Sequence, residues 1–207
     1  MQLTWTLPES KIWRMRSFFA TPRDMIPGLK LQHRNLYVAG HDPNDSTCRA
    51  CACNESQLHL CECPVIWQGY WTPVLSIMED TGMPRPRDDV AFLATGALSQ
   101  DKVIDRDRAG MWFLAWRCLY AEIVRSRVEA LTLDLDKALK RYVAMIIGRL
   151  KAYGAKWRRW VDKSRHQRDL NTIPKRHQDK TILRSNPVGE YDIHDAILHA
   201  AHRLQLM

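Results

Sequence analysis

Five cysteines and one histidine stand within the sixteen residues from Cys48 to Cys63, in the run CRACACNESQLHLCECP (48–64). A segment this short buries too little surface to offset the entropy of its own ordering, so it needs a cross-link to hold one shape. Disulfides would close only very short loops here. A metal ion does better. Cys48 and Cys51 form a C-x-x-C pair whose backbone turns tightly enough to aim both sulfurs at one ion, and His59 and Cys63 follow downstream. Three thiolates and one imidazole complete a tetrahedral set with no position left for water, the arrangement of structural zinc. These donors disfavour magnesium and calcium, which take oxygen. Binding of this kind contributes on the order of 10 kcal/mol to folding. Cys53 and Cys61 offer competing sulfurs, so either stands as an alternate ligand, and a set of unligated cysteines is the bland reading. Cys118 falls inside an apolar helical stripe and reads as core.

Helical periodicity accounts for most of the remaining chain, and the expected fold is mainly α with little or no β-sheet. Residues 8 to 38 carry a helical pattern that Pro22 and Pro27 interrupt. Trp67, Trp71, Val74, Leu75 and Met78 recur at helical spacing after the cysteines. A helix over 107–128 places Trp112, Trp116, Leu119, Tyr120, Ile123 and Val124 along one stripe. A longer one over 134–163 gathers Leu139, Tyr142, Val143, Ile146, Ile147, Leu150, Tyr153, Trp157, Trp160 and Val161 on one arc. The organisation expected is a helical lead-in plus metal module over 1–80, a linker over 81–105, and a helical hairpin over 106–165. A basic, partly disordered tail over 166–207 ends in a short helix at about 191–204.

Charge is concentrated. Between Lys137 and Arg184 stand fifteen Lys or Arg against three Asp, a balance of +12 in a chain whose net charge is +8, so the rest sums to −4. Local positive charge of this density attracts polyanions. Lys137, Lys140, Arg141, Lys151, Lys156, Arg158, Arg159 and Lys163 lie on the polar arc of the long helix and are the candidate contacts to RNA or single-stranded DNA. Such contacts set affinity without reading sequence. The competing readings are a solvated helix face and, at lower weight, a membrane-surface or calmodulin-type helix. Trp157 and Trp160 lie on the apolar arc and read as core, not as base-stacking platforms.

Catalytic signatures are missing. No G-x-x-x-x-G-K, G-x-G-x-x-G or G-x-S-x-G motif occurs. A Cys61–His59 nucleophile pair is better explained by metal, and the deaminase order of His-x-Glu before C-x-x-C is reversed here. Asp101, Asp105 and Asp107 alternate with bases as at an ion-paired helix start, and His194, His199 and His202 read as exposed helix histidines. The expectation is a non-enzymatic protein. The N-terminal MQLTWTLPESKIWRMR lacks the apolar core of a signal peptide, and no run of about eighteen apolar residues occurs. With its crowded thiols, the chain is expected in a reducing compartment, the nucleus or cytoplasm, and not in a membrane.

The motif resembles the zinc-binding domain that follows the reverse transcriptase in non-LTR retrotransposons. Trp13, the Pro22 and Pro27 region, Leu36, Cys48, Cys51, Glu55, His59, Cys63, Pro64 and Trp67 stand in that family's order, and Trp116–Arg117 resembles its Trp-Lys/Arg pair. The resemblance spans about residues 11 to 165. It implies a retroelement tail domain without its polymerase, either a separate product or a relic, with nucleic acid and a separate reverse transcriptase chain as partners. A protein–protein interaction scaffold is the rival expectation.

Overall fold

In the structure, a computed structural model, residues 20–32, 36–38, 45–81, 89–96, 106–166, 183–185, 191–193 and 195–206 are described, with backbone alone at 32, 95, 106–108, 153–166, 183–185, 191–193 and 196. In chain order the elements are α1 (Pro22–Gln32), α2 (His59–Glu62), α3 (Pro64–Ile66), a π-helical turn (Trp67–Trp71), α4 (Thr72–Asp80), α5 (Asp89–Thr95), α6 (Arg106–Val128), α7 (Leu135–His166), β1 (Leu183–Ser185), β2 (Tyr191–Ile193) and α8 (Asp195–Arg203). The fold is mainly helical. Its described sheet is one antiparallel ribbon pairing Leu183 with Ile193.

Helix α6 is the hub, packed between α1 and α7. The sequence pattern predicts one apolar stripe on it, yet Met111 to Trp116, Cys118 and Leu119 are all buried. A helix covered on two sides buries more than one face. Val124, counted in that stripe, is exposed. The indole N–H groups of Trp112 and Trp116 both donate to the Leu93 carbonyl, at 3.1 and 2.8 Å, which fixes α5 to α6. Gly28 lets α1 approach closely: a Cβ there would lie 2.8 Å from both Phe113 and Trp112 side-chain atoms. One apolar cluster runs from Ala20 to Ala201, including Ile197 and Ala200 of α8.

Helix α7 follows its sequence pattern as far as Leu150, with Leu139, Tyr142, Val143, Ile146, Ile147 and Leu150 buried; the side chains of Tyr153, Trp157, Trp160 and Val161, expected on the same arc, lie outside the described set. Asp134 caps it by accepting from the Lys137 N–H at 2.9 Å. Between α6 and α7, Ala130 takes a left-handed conformation (φ 53°), while the Leu131 and Ala130 N–H groups bond back to the Ser126 and Arg127 carbonyls. This is a Schellman end built on alanine instead of glycine.

Four further expectations change. Asp89–Thr95, inside the span expected as a linker, forms helix α5 with Phe92 and Leu93 buried. Pro22 and Pro27 do not break α1: Pro22 opens it, at a position where a missing N–H costs nothing, and Pro27 is accommodated within it. The α3–α4 run is not plain α-helix; it widens into a π turn before Pro73, whose ring would otherwise crowd the Gly69 carbonyl. The C-terminal helix starts at Asp195, since Tyr191–Ile193 pairs as a strand.

A buried ion-pair network ties the hub together. Asp24, fully buried, accepts from the Thr21 N–H (2.7 Å), the Thr21 hydroxyl (2.6 Å) and Arg149 Nη2 (2.9 Å), and it also pairs with Arg117. One carboxylate therefore joins α1, α6 and α7, and Arg149 is an internal partner, not a free member of the basic arc. Asp24→Asn leaves two guanidiniums without their countercharge and is expected to cost about 3 kcal/mol. Urea unfolding measures this directly; an unchanged midpoint would show that the network contributes nothing to stability.

Candidate metal centre

Residues 46–55 fold back as a tight hairpin. Thr47 and Asn54 form an antiparallel bridge, the Cys48 N–H donates to the Cys53 carbonyl (2.8 Å), and the Ala52 N–H donates to the Cys48 carbonyl (2.8 Å). Ala52 pays for the reversal with a left-handed φ of 61°. The Ala50 N–H approaches Cys48 Sγ at 3.4 Å, so the turn directs a donor at the sulfur it presents.

The second pair of ligands comes from a helical turn. Ser56 Oγ accepts from the His59 N–H (3.0 Å) and starts α2, placing His59 and Cys63 four residues apart on one face. Pro64 then ends the turn: it forces Cys63 into extended backbone (ψ 119°) and opens α3 at once. The backbone N–H groups of Ile66 and Val65 in the helix that follows favour the Cys63 thiolate, against the burial that raises its pKa.

Together these two segments bring Cys48, Cys51, His59 and Cys63 to one point, with all four ligand atoms within 4.8 Å of one another. Cys51 Sγ lies 3.3 Å from His59 Nε2. The set can hold a metal ion. The alternates fall outside it: Cys61 is fully buried and turns its thiol toward the Gln57 carbonyl at 3.8 Å, and Cys53 is exposed beside Cys51. Cys118 is core, its thiol 3.6 Å from the Met145 sulfur.

The centre is anchored to the hub from both sides. Leu60 and Cys61 are fully buried, and the Trp71 indole donates to the Leu60 carbonyl at 2.9 Å while packing 4.8 Å from Trp116. On the hairpin side, the buried Glu55 pairs with Arg127 of α6. Gln57 reaches the Leu36 carbonyl at 2.8 Å. Arg127 is the residue that sequence reading misses, since nothing local to it signals a partner 72 positions away.

Of the candidate nucleic-acid residues, Lys137, Arg141 and Lys151 are exposed on α7, and Lys140 pairs with Asp136 at 2.7 Å. Lys156, Arg158, Arg159 and Lys163 continue the same helix, and their side chains lie outside the described set. His199 and His202 are exposed on α8, as expected. Among the described residues no helix is long and apolar enough to cross a membrane.

Electrostatics set how the centre responds to pH. Burial pushes the Cys48 thiol up to about 12, against N–H donation from Ala50 and Cys51. Burial likewise raises Cys63, with Cys51 adding to the effect. For Cys51, burial also raises, but the Cys53 N–H and contacts from Cys63, Cys53 and His59 outweigh it and bring the thiol to about 7. Without metal, Cys48 and Cys63 therefore keep their protons at neutral pH, and an incoming ion must displace them. Affinity near neutrality is expected to rise about a hundredfold per pH unit, one factor of ten for each displaced proton.

Stability should show opposite trends in the two states. In the metal-free protein, the raised Cys48 value contributes stability below the ordinary value of 9.0, which is lost as pH rises through about 12. In the loaded protein the bound form is the thiolate, so stability is lost as pH falls. Thermal melts of both forms across pH, with chelator competition for affinity, check both signs; parallel trends would contradict this account.

No protein-family model, curated protein or solved structure matches the chain, so the chemistry of this centre is read from its own residues.

Proposed function

We propose that the protein is a non-enzymatic, zinc-stabilised module that binds nucleic acid. The observation that carries this is the convergence of three sulfurs and one imidazole from a hairpin and a helical turn. Sulfur-rich tetrahedral donors select zinc over oxygen-loving cations, and four protein ligands leave no position for water, which makes the ion structural. The six cysteines described are free thiols, consistent with a reducing compartment, nucleus or cytoplasm.

The nucleic-acid part rests on α7. Lys137, Arg141 and Lys151 project from it without an ion pair among the described residues, and Lys156, Arg158, Arg159 and Lys163 extend the same helix. Backbone phosphates of RNA or single-stranded DNA are the fitting ligands, held through counterion release without sequence preference. The resemblance in the cysteine motif to the zinc-binding domain after the reverse transcriptase of non-LTR retrotransposons supports the same role, with a separate reverse transcriptase chain as a further partner.

Elemental analysis of purified protein should find one zinc per chain. Cys48→Ser and Cys63→Ser should lose it, whereas Cys53→Ser and Cys61→Ser should keep it; retention by the first pair would overturn the ligand set.

Fluorescence anisotropy with single-stranded RNA should show affinity falling steeply as salt rises, with a log–log slope of about −0.7 per phosphate contacted. Absence of binding at low salt, or affinity indifferent to salt, removes the nucleic-acid role.

A further inference from the structure

Four arginines from three helices gather where α1, α6 and α7 meet. Arg117 and Arg149 both hold the fully buried Asp24 carboxylate. Arg23, next to Asp24 on α1, and Arg141, two turns before Arg149 on α7, are exposed and make no ion pair among the described residues. Two guanidiniums thus share one carboxylate, with the charges of two further arginines acting on the same junction. Arg117 feels the excess: its pKa is lowered first by burial and then by repulsion from Arg141, Arg23 and Arg149. Such repulsion is relieved by an anion seated among the side chains. Guanidinium forks match the oxygens of a phosphate group, and Asp24 already holds two of them in place, so little side-chain freedom is lost on binding.

We propose that Arg23, Arg117, Arg141 and Arg149 form a phosphate-binding site at the α1–α6–α7 junction, and that a backbone phosphate of single-stranded RNA occupies it. The site itself stands on the arginine geometry; its occupant rests on the nucleic-acid reading above. This junction differs from the lysines of the α7 face in being preorganised, because its inner arginines are fixed by a buried carboxylate.

The test uses the full, zinc-loaded chain and two charge-matched variants. Arg23→Gln/Arg141→Gln removes the exposed arginines, which hold no buried partner. Lys30→Gln/Arg203→Gln removes two exposed charges elsewhere. Inorganic pyrophosphate is the first probe, by calorimetry at low salt, and oligo-U RNA the second, by anisotropy across salt. Pyrophosphate should bind the wild type and the Lys30/Arg203 variant alike and the Arg23/Arg141 variant about tenfold more weakly. RNA affinity should fall selectively in that same variant, with a salt slope shallower by about 0.7, the loss of one phosphate contact. Equal pyrophosphate binding by all three proteins, or none by any, overturns the site whatever RNA does. Selective pyrophosphate binding with RNA affinity unaffected or absent leaves the site standing and overturns its nucleic-acid occupant.

Discussion

The seat of Trp71 is the contact on which the functional architecture depends. Its indole donates to the Leu60 carbonyl and its ring packs on Trp116 of α6, so one side chain ties the helical turn carrying His59 and Cys63 to the centre of the hydrophobic core. A buried indole N–H must find an acceptor, and Trp71 satisfies that need by holding the turn in place. Tyr70 reinforces the same attachment through its hydroxyl, which donates to the Ala115 carbonyl at 2.6 Å. Half of the metal centre is therefore positioned by ordinary core packing.

Helix α6 extends this logic through charge. Arg117 takes Asp24 from α1, and Arg127 takes Glu55 from the hairpin, so two buried carboxylates from distant segments dock on one helix. Desolvation offsets much of what each pair gains, and a well-packed apolar contact would stabilise as much or more. What the pairs add is discrimination: a carboxylate left without its arginine in a misdocked arrangement would be strongly unfavourable. The chain fixes the placement of α1 and of the hairpin by making the alternatives costly.

Periodicity and ligand spacing are enough to read the long helices and the metal centre. The α7 pattern reports which side chains are buried as far as Leu150, and C-x-x-C followed by His59 and Cys63 picks out the four candidate ligands that the fold brings together. Other features are hidden for definite reasons. Ala52 and Ala130 hold left-handed turns that glycine usually marks, so no residue type announces them. Pro22 reads as a break although proline also opens helices. Arg149 looks like one more surface charge, because helical phase tells which way a side chain faces but not that Asp24 lies 125 residues back in the chain, ready to meet it. Long-range pairing of charge is a tertiary property, and local pattern carries no trace of it.

The two halves of the metal centre differ in what holds them without metal. His59 and Cys63 ride on a turn fixed by Leu60, Cys61 and Trp71, all fully buried. Cys48 and Cys51 ride on a hairpin with a strained alanine, tied back through the buried Cys48 and through Glu55 and Arg127. Free energy from a bound ion must then go chiefly into ordering the hairpin, since the turn is already ordered by the core. Helices α1, α6 and α7, together with the arginine junction between them, draw their stability from apolar burial and from Asp24. A bound ion would shape the hairpin end of the molecule, while the proposed phosphate contacts lie on helices held by apolar burial and by Asp24.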